Sequence, residues 1–143
     1  LPHRVELIGE ADGVRWYDDS KATAPHATLA AVAGFDSVVL IAGGRNKGLD
    51  LAPLGEVAGH VRAVVALGEA ADEVEKVFAT AAPDVPVATA ASMADAVEAA
   101  GRAAQPGDVV LLSPACASFD MFRNYEHRAE VFAATVRRLG AGR

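Results

Sequence analysis

Ser37-Val38-Val39-Leu40-Ile41-Ala42-Gly43-Gly44-Arg45-Asn46-Lys47-Gly48 is a run of apolar residues that breaks abruptly into glycines and cations. An uninterrupted apolar run of this length suits a strand buried on both faces, which is the condition of strands in parallel sheets. Similar runs stand at Val61–Leu67, Val85–Ala88 and Val109–Leu112. Alanine-rich stretches with helical spacing lie between them. One helix opens at Pro25, with Thr23 as a possible cap, and runs to about Gly34. A second carries Val74, Val77 and Phe78 on one face. A third begins at Ser92, with Asp95 three residues on, and points Met93, Val97 and Ala100 one way. The last helical pattern spans Met121 to Leu139 through Phe122, Tyr125, Phe132 and Val136. Upstream, Arg4–Ile8 and Val14–Tyr17 read as two strands joined by Glu10-Ala11-Asp12-Gly13, a hairpin turn. Buried strands alternating with helices imply right-handed βαβ units. The expected fold is therefore α/β: an open, mostly parallel sheet of about six strands, with an antiparallel edge hairpin and helices on both faces.

The 143 residues suffice for one domain with a single core. An apolar fraction of 52% against 22% charged residues fits a packed chain and excludes a disordered one. With 13 Lys+Arg against 19 Asp+Glu, the net charge is −6, and no basic stripe is present to wrap a nucleic-acid backbone. The single cysteine excludes an internal disulfide, and no Cys/His spacing matches a zinc site. Apolar stretches fall short of the roughly 20 residues of a membrane span, and no secretory leader is recognisable. The expected compartment is the cytoplasm, with no membrane or nucleic-acid partner. The 32 alanines blur periodicity, because alanine suits either face of a helix. The chain opens at Leu1 without an initiator Met, so it is expected to be a piece of something longer.

Ligands of open α/β sheets bind beyond the carboxyl ends of the strands, near the reversal of strand order. Three polar segments fall at such ends: Asp18–Thr23, Gly43–Gly48 and Ser113–Asn124. In the first, amides at a helix start and the cation of Lys21 favour anions, while the two adjacent carboxylates suit sugar hydroxyls or a metal-bound phosphate. An idle Asp/Ser/Thr turn has the same composition. In the second, glycines allow close backbone approach, and Arg45 and Lys47 offer charge to a carboxylate or phosphate. It matches neither the dinucleotide fingerprint nor the nucleotide phosphate loop, and reads equally as a turn with solvated basic tips. In the third, small residues leave amides and hydroxyls exposed to a ligand, with Ser118 placed to cap a helix and hold an anion. Cys116 reads as a small buried thiol rather than a nucleophile. His26, His60 and His127 are scattered, and no metal-ligating residues are assigned.

Taken together, Leu1-Pro2-His3-Arg4, Asp19-Ser20-Lys21-Ala22-Thr23 with Pro25-His26, Gly43-Gly44 with Lys47, and Ser113-Pro114-Ala115-Cys116-Ala117-Ser118-Phe119-Asp120 with Phe122, Tyr125, Glu126 and Arg128 resemble a known pattern. It is that of the C-terminal domain of the D-glutamate-adding branch of the Mur ligase family, and it covers essentially the whole chain in order. The resemblance implies a Rossmann-like domain, residues 1–143, from a three-domain, ATP-dependent ligase of peptidoglycan synthesis. Such a ligase joins UDP-N-acetylmuramoyl-L-alanine to D-glutamate through an acyl phosphate. By resemblance, Lys21, Thr23, Lys47, Ser118, Phe119 and Tyr125 match positions that contact D-glutamate, and Arg4 and Asp19 match positions that contact the nucleotide. The family's phosphate loop and the residues that hold Mg2+ belong to its central domain, so these residues alone are expected to be inactive. The N-terminal and central domains are then the expected partners. Ala24 replaces a usual Asn, Ala129 a usual Gly and Tyr125 a usual Phe. The competing reading is a non-catalytic Rossmann-like module that binds a nucleotide or metabolite.

Overall fold

Alternation along the central strands sorts their side chains onto two faces. Val38, Leu40 and Ala42 of β3 (Val38–Gly43) join one apolar cluster, whereas Val39 and Ile41 join another. The same division holds in β4 (Val61–Leu67) and β6 (Val109–Ala115). A computed structural model describes residues 2–140, so Leu1, which opens the first resembling segment, lies outside the described residues.

The sheet has six strands in the order β1-β2-β6-β3-β4-β5. The hairpin of β1 (Glu6–Ala11) and β2 (Val14–Asp18) is antiparallel, and every other pairing is parallel. Asp12 and Gly13 turn the hairpin with φ of 55° and 79°, the left-handed pair that a two-residue turn demands. Helix α1 (Pro25–Ala33), a 3-10 helix (Ala52–His60) and α2 (Ala71–Ala81) cover the first face through Val32, Leu54, Val74 and Phe78. Helices α3 (Met93–Ala103) and α4 (Tyr125–Leu139) cover the other through Met93, Val97, Phe132 and Val136. The expected architecture is the observed one.

Several boundaries differ for identifiable reasons. The first strand starts at Glu6, not Arg4, because His3 and Val5 take φ of 63° and 46°, which no strand accommodates. Strand β5 is Val87–Ala90, shifted from the run at Val85, since Pro86 has no N–H to give a neighbour. Strand β6 runs on to Ala115, where φ of 63° ends it. The last helix begins at Tyr125: Asn124 accepts a hydrogen bond from the His127 amide, and Met121 and Phe122 pack on the core from the loop before it. Neither Thr23 nor Ser118 is a cap. Ala24 holds the N-cap position of α1 with no side-chain bond, and the Ser118 carbonyl instead accepts the amides of Met121 and Phe122 in a local turn.

Candidate functional site

Strand β6, the last in sequence, lies between β2 and β3, so the order reverses in the middle of the sheet. Their carboxyl ends sit side by side, and the three polar segments converge there. Gly43 and Gly44 make this possible. With φ of 130° and 128°, each lacks room for a Cβ, which would strike the Leu67 carbonyl from Gly43 and the Ala117 carbonyl from Gly44. Across that approach the Arg45 amide donates to the Ala117 carbonyl at 2.8 Å, and the Ala117 amide returns a bond at 3.0 Å.

A cleft of about 520 Å³ opens above this junction. Thr23, Lys47, Ser118, Phe119 and Tyr125 all line it, as do Arg45 and, as its only acid, Glu126. Lys47 Nζ lies 4.8 Å from the centre of the Phe119 ring, within cation–π range, and Phe119 is 53% exposed. Arg45 leans toward Glu69, with Nη2 to Oε1 at 3.3 Å on the surface. Cys116 lies in the floor, and burial pushes its thiol up to about 11, so it is protonated and a poor nucleophile at neutral pH.

A second cleft, of about 380 Å³, opens on the α1 side of the same Asp18–Thr23 loop. Arg4, Asp19 and Lys21 line it. Lys21 is thus set apart from the five other residues matched to the D-glutamate site. Asp19 is buried, with Oδ1 accepting the Val5 amide at 3.1 Å and Oδ2 accepting the Ser113 hydroxyl at 2.6 Å. Burial raises its pKa above the ordinary carboxylate value, although both bonds pull the other way. Its remaining lone pairs are what it can offer to a ligand hydroxyl.

Two features were not legible in the sequence. Asp18, also buried, accepts the Ser20 amide at 2.9 Å and pairs with His3 Nδ1 at 2.7 Å. Among the described residues, His3, Glu6 and Asp18 form a grouping whose donor atoms lie within 4.8 Å of one another. Arg128 is 1% exposed and bonds both the Asp18–Thr23 loop and the segment at Cys116. Its Nε donates to Ser20 Oγ at 2.9 Å, Nη2 to the Ser20 carbonyl at 2.7 Å and Nη1 to the Cys116 carbonyl at 3.0 Å. Burial lowers the guanidinium to about 10, so it remains charged at neutral pH. An arginine on a helix reads as solvated, and only the meeting of distant loops buries it.

Comparison with known proteins gives the chain's relatives. Residues 3–116 match the family described as Mur ligase, glutamate ligase domain. The chain is 57% identical over 142 residues to a UDP-N-acetylmuramoylalanine–D-glutamate ligase of Aromatoleum aromaticum, covering 97% of this chain and 30% of that protein. It is 55% identical over 136 residues to the like-named ligase of Frankia casuarinae, covering 94% and 29%. The chain thus spans about 30% of the length of the curated relatives it matches. Among solved structures, a murein peptide ligase of Psychrobacter arcticus superposes with a TM-score of 0.63 at 18% identity, over 96% of this chain and 29% of that one. A UDP-N-acetylmuramate-alanine ligase of Thermotoga maritima superposes with a TM-score of 0.59 at 9% identity, over 96% and 30%. With residues 3–116 matching the family model and the fold shared with these solved ligases, the chain belongs to the Mur ligase family.

Proposed function

We propose that residues 1–143 are one domain, the acceptor-binding C-terminal part of a cytoplasmic, three-domain, ATP-dependent ligase of peptidoglycan synthesis. The carboxylate of UDP-N-acetylmuramoyl-L-alanine takes the γ-phosphoryl group of ATP and becomes an acyl phosphate. The amine of D-glutamate attacks the acyl carbon, the amide bond forms and phosphate leaves. The observation that carries this reading is the donor set of the first cleft: Lys47, which pairs with no carboxylate among the described residues, with the hydroxyls of Thr23, Ser118 and Tyr125, while Arg45 at the rim is already paired with Glu69. That set suits the carboxylates of an acidic amino acid.

In this reading Lys47, Thr23 and Ser118 hold the carboxylates, while Phe119 and Tyr125 shape the walls. Arg4 and Asp19 contact the nucleotide from the second cleft, and Lys21, which lines that cleft too, would have to swing across its loop to join the D-glutamate site. The domain closes over ATP and the N-terminal and central domains of the same ligase, which keeps water from the acyl phosphate. Mg2+ takes oxygen ligands in octahedral geometry. The grouping of His3, Glu6 and Asp18 does not fit it: one donor is an imidazole, and the Asp18 oxygens already take His3 and the Ser20 amide. The ion is therefore assigned to the other domains, and without them the 143 residues form no ADP from ATP and both substrates.

The test is kinetic, in the full-length ligase. Lys47→Ala and Ser118→Ala are expected to raise the KM for D-glutamate about 10- to 100-fold, with the KM for ATP within about threefold of wild type. Unchanged D-glutamate dependence in both variants sinks the assignment and favours a module that binds some other metabolite.

A further inference from the structure

Arg128 is a buried cation with no carboxylate in direct contact, although those of Asp18 and Asp120 act on it from farther off. Its three hydrogen bonds go to a hydroxyl and two carbonyls, and no carboxylate of the described residues lies within ion-pair distance. A buried charge whose direct partners are all neutral costs folding free energy that distant carboxylates only partly offset, so its placement points to a role in organising the segments it bonds. What it organises is specific. Through Ser20 it grips the loop that separates the two clefts, and Ser20 Oγ passes the contact on to the Tyr125 carbonyl at 2.7 Å. Through the Cys116 carbonyl it grips the segment that carries Ser118 and Phe119. The Gly44 backbone packs against the same guanidinium, since a Cβ there would lie 3.4 Å from Nη1. Three segments that wall the first cleft thus meet on one planar, rigid group, which a flexible ammonium cannot replace.

We propose that Arg128 is a positioning residue for the acceptor cleft: it touches no ligand, sets Thr23, Ser118 and Tyr125 in register with one another, and adds positive potential beneath the carboxylates of an acidic amino acid. This rests on the first cleft being the D-glutamate site. Lys47→Ala and Ser118→Ala, which alter the cleft lining itself, decide that premise first: a D-glutamate KM raised in both secures it, so failure of the premise and failure of this proposal are separable.

The experiment compares wild type with Arg128→Lys, Arg128→Gln and Ser20→Ala in the full-length ligase, reading kcat, both KM values and Tm. Arg128→Lys keeps the charge and loses the fork. Arg128→Gln loses both, and Ser20→Ala removes the side-chain contact while leaving the guanidinium in place. The expected order of D-glutamate KM is Gln, Lys, Ser20→Ala, wild type, with Lys raised about tenfold and Ser20→Ala about threefold. The KM for ATP stays within about threefold throughout. If both arginine variants fail to fold, Ser20→Ala alone decides. A lowered Tm with D-glutamate KM within twofold of wild type, or an equal rise in both KM values, overturns the proposal and leaves Arg128 a purely structural residue.

Discussion

The two clefts flank one loop, Asp18–Thr23, yet the fold uses their polar groups differently. In the second cleft Asp19 is buried, bonded to Ser113 and to the Val5 amide, and so ties β6 and the N-terminal segment together. In the first, Lys47 rests on an aromatic ring rather than on an acid, and the local hydrogen bonds at Ser118 go to its carbonyl. The polar groups of one cleft are used by the fold, and those of the other are left open. On the proposed reading, a substitution at Asp19 reports on stability and binding together, whereas one at Lys47 reports on binding alone.

The largest expected effect falls on the close backbone approach beneath the first cleft. Gly44→Val drives a Cβ into the Ala117 carbonyl at a backbone angle that only glycine tolerates. It should cost about 3 kcal/mol in denaturant unfolding. Gly48→Ala, with φ of 83° and open space around it, is the control, expected to cost only about 1 kcal/mol.

The next effect is a pH dependence of the first cleft's floor. The folded state raises the Cys116 thiol from 9.0 to about 11 by burying it, so the folded chain holds this proton longer than the unfolded one. The resulting stability is complete below pH 9.0 and is lost as pH climbs toward about 11. Cys116→Ala should flatten that decline, by about 1–2 kcal/mol, when unfolding is followed across this range.

The smallest effect sharpens the contrast between the clefts. Phe119→Leu removes the ring beneath Lys47. The KM for D-glutamate in the full-length ligase should rise about two- to fivefold, the size of an exposed cation–π contact, with the KM for ATP unmoved.

How far these features could be read in the sequence depends on how local their causes are. Strand β4 and the Ser92 cap, which accepts the Asp95 amide, follow from a few neighbouring residues and stand where the pattern puts them. The 3-10 helix at Ala52–His60 gave no such signal: Leu51, Leu54 and Val57 recur every third residue among two glycines and a proline, which fits neither a strand nor an α-helix. Met121 and Phe122 imitate a helical stripe because the core receives them from a loop. The convergence of the three polar segments was legible, since strand ends alone determine it. The assignment of Lys21 and Thr23 to different clefts was not, because two residues of one loop differ only in which way the chain turns. Arg128 was least legible of all, its burial being made by segments more than a hundred residues apart.

The central claim is that the first cleft receives D-glutamate, and amide chemical shifts of the 143-residue chain test it most directly. Titration with D-glutamate to millimolar concentrations, beside an identical titration with L-glutamate, separates recognition from bulk charge. The expected result is that D-glutamate moves the amides of Thr23, Lys47, Cys116–Phe119 and Tyr125, while L-glutamate leaves them nearly still. Equal responses to both enantiomers, or shifts confined to Arg4, Asp19 and their neighbours, would contradict it.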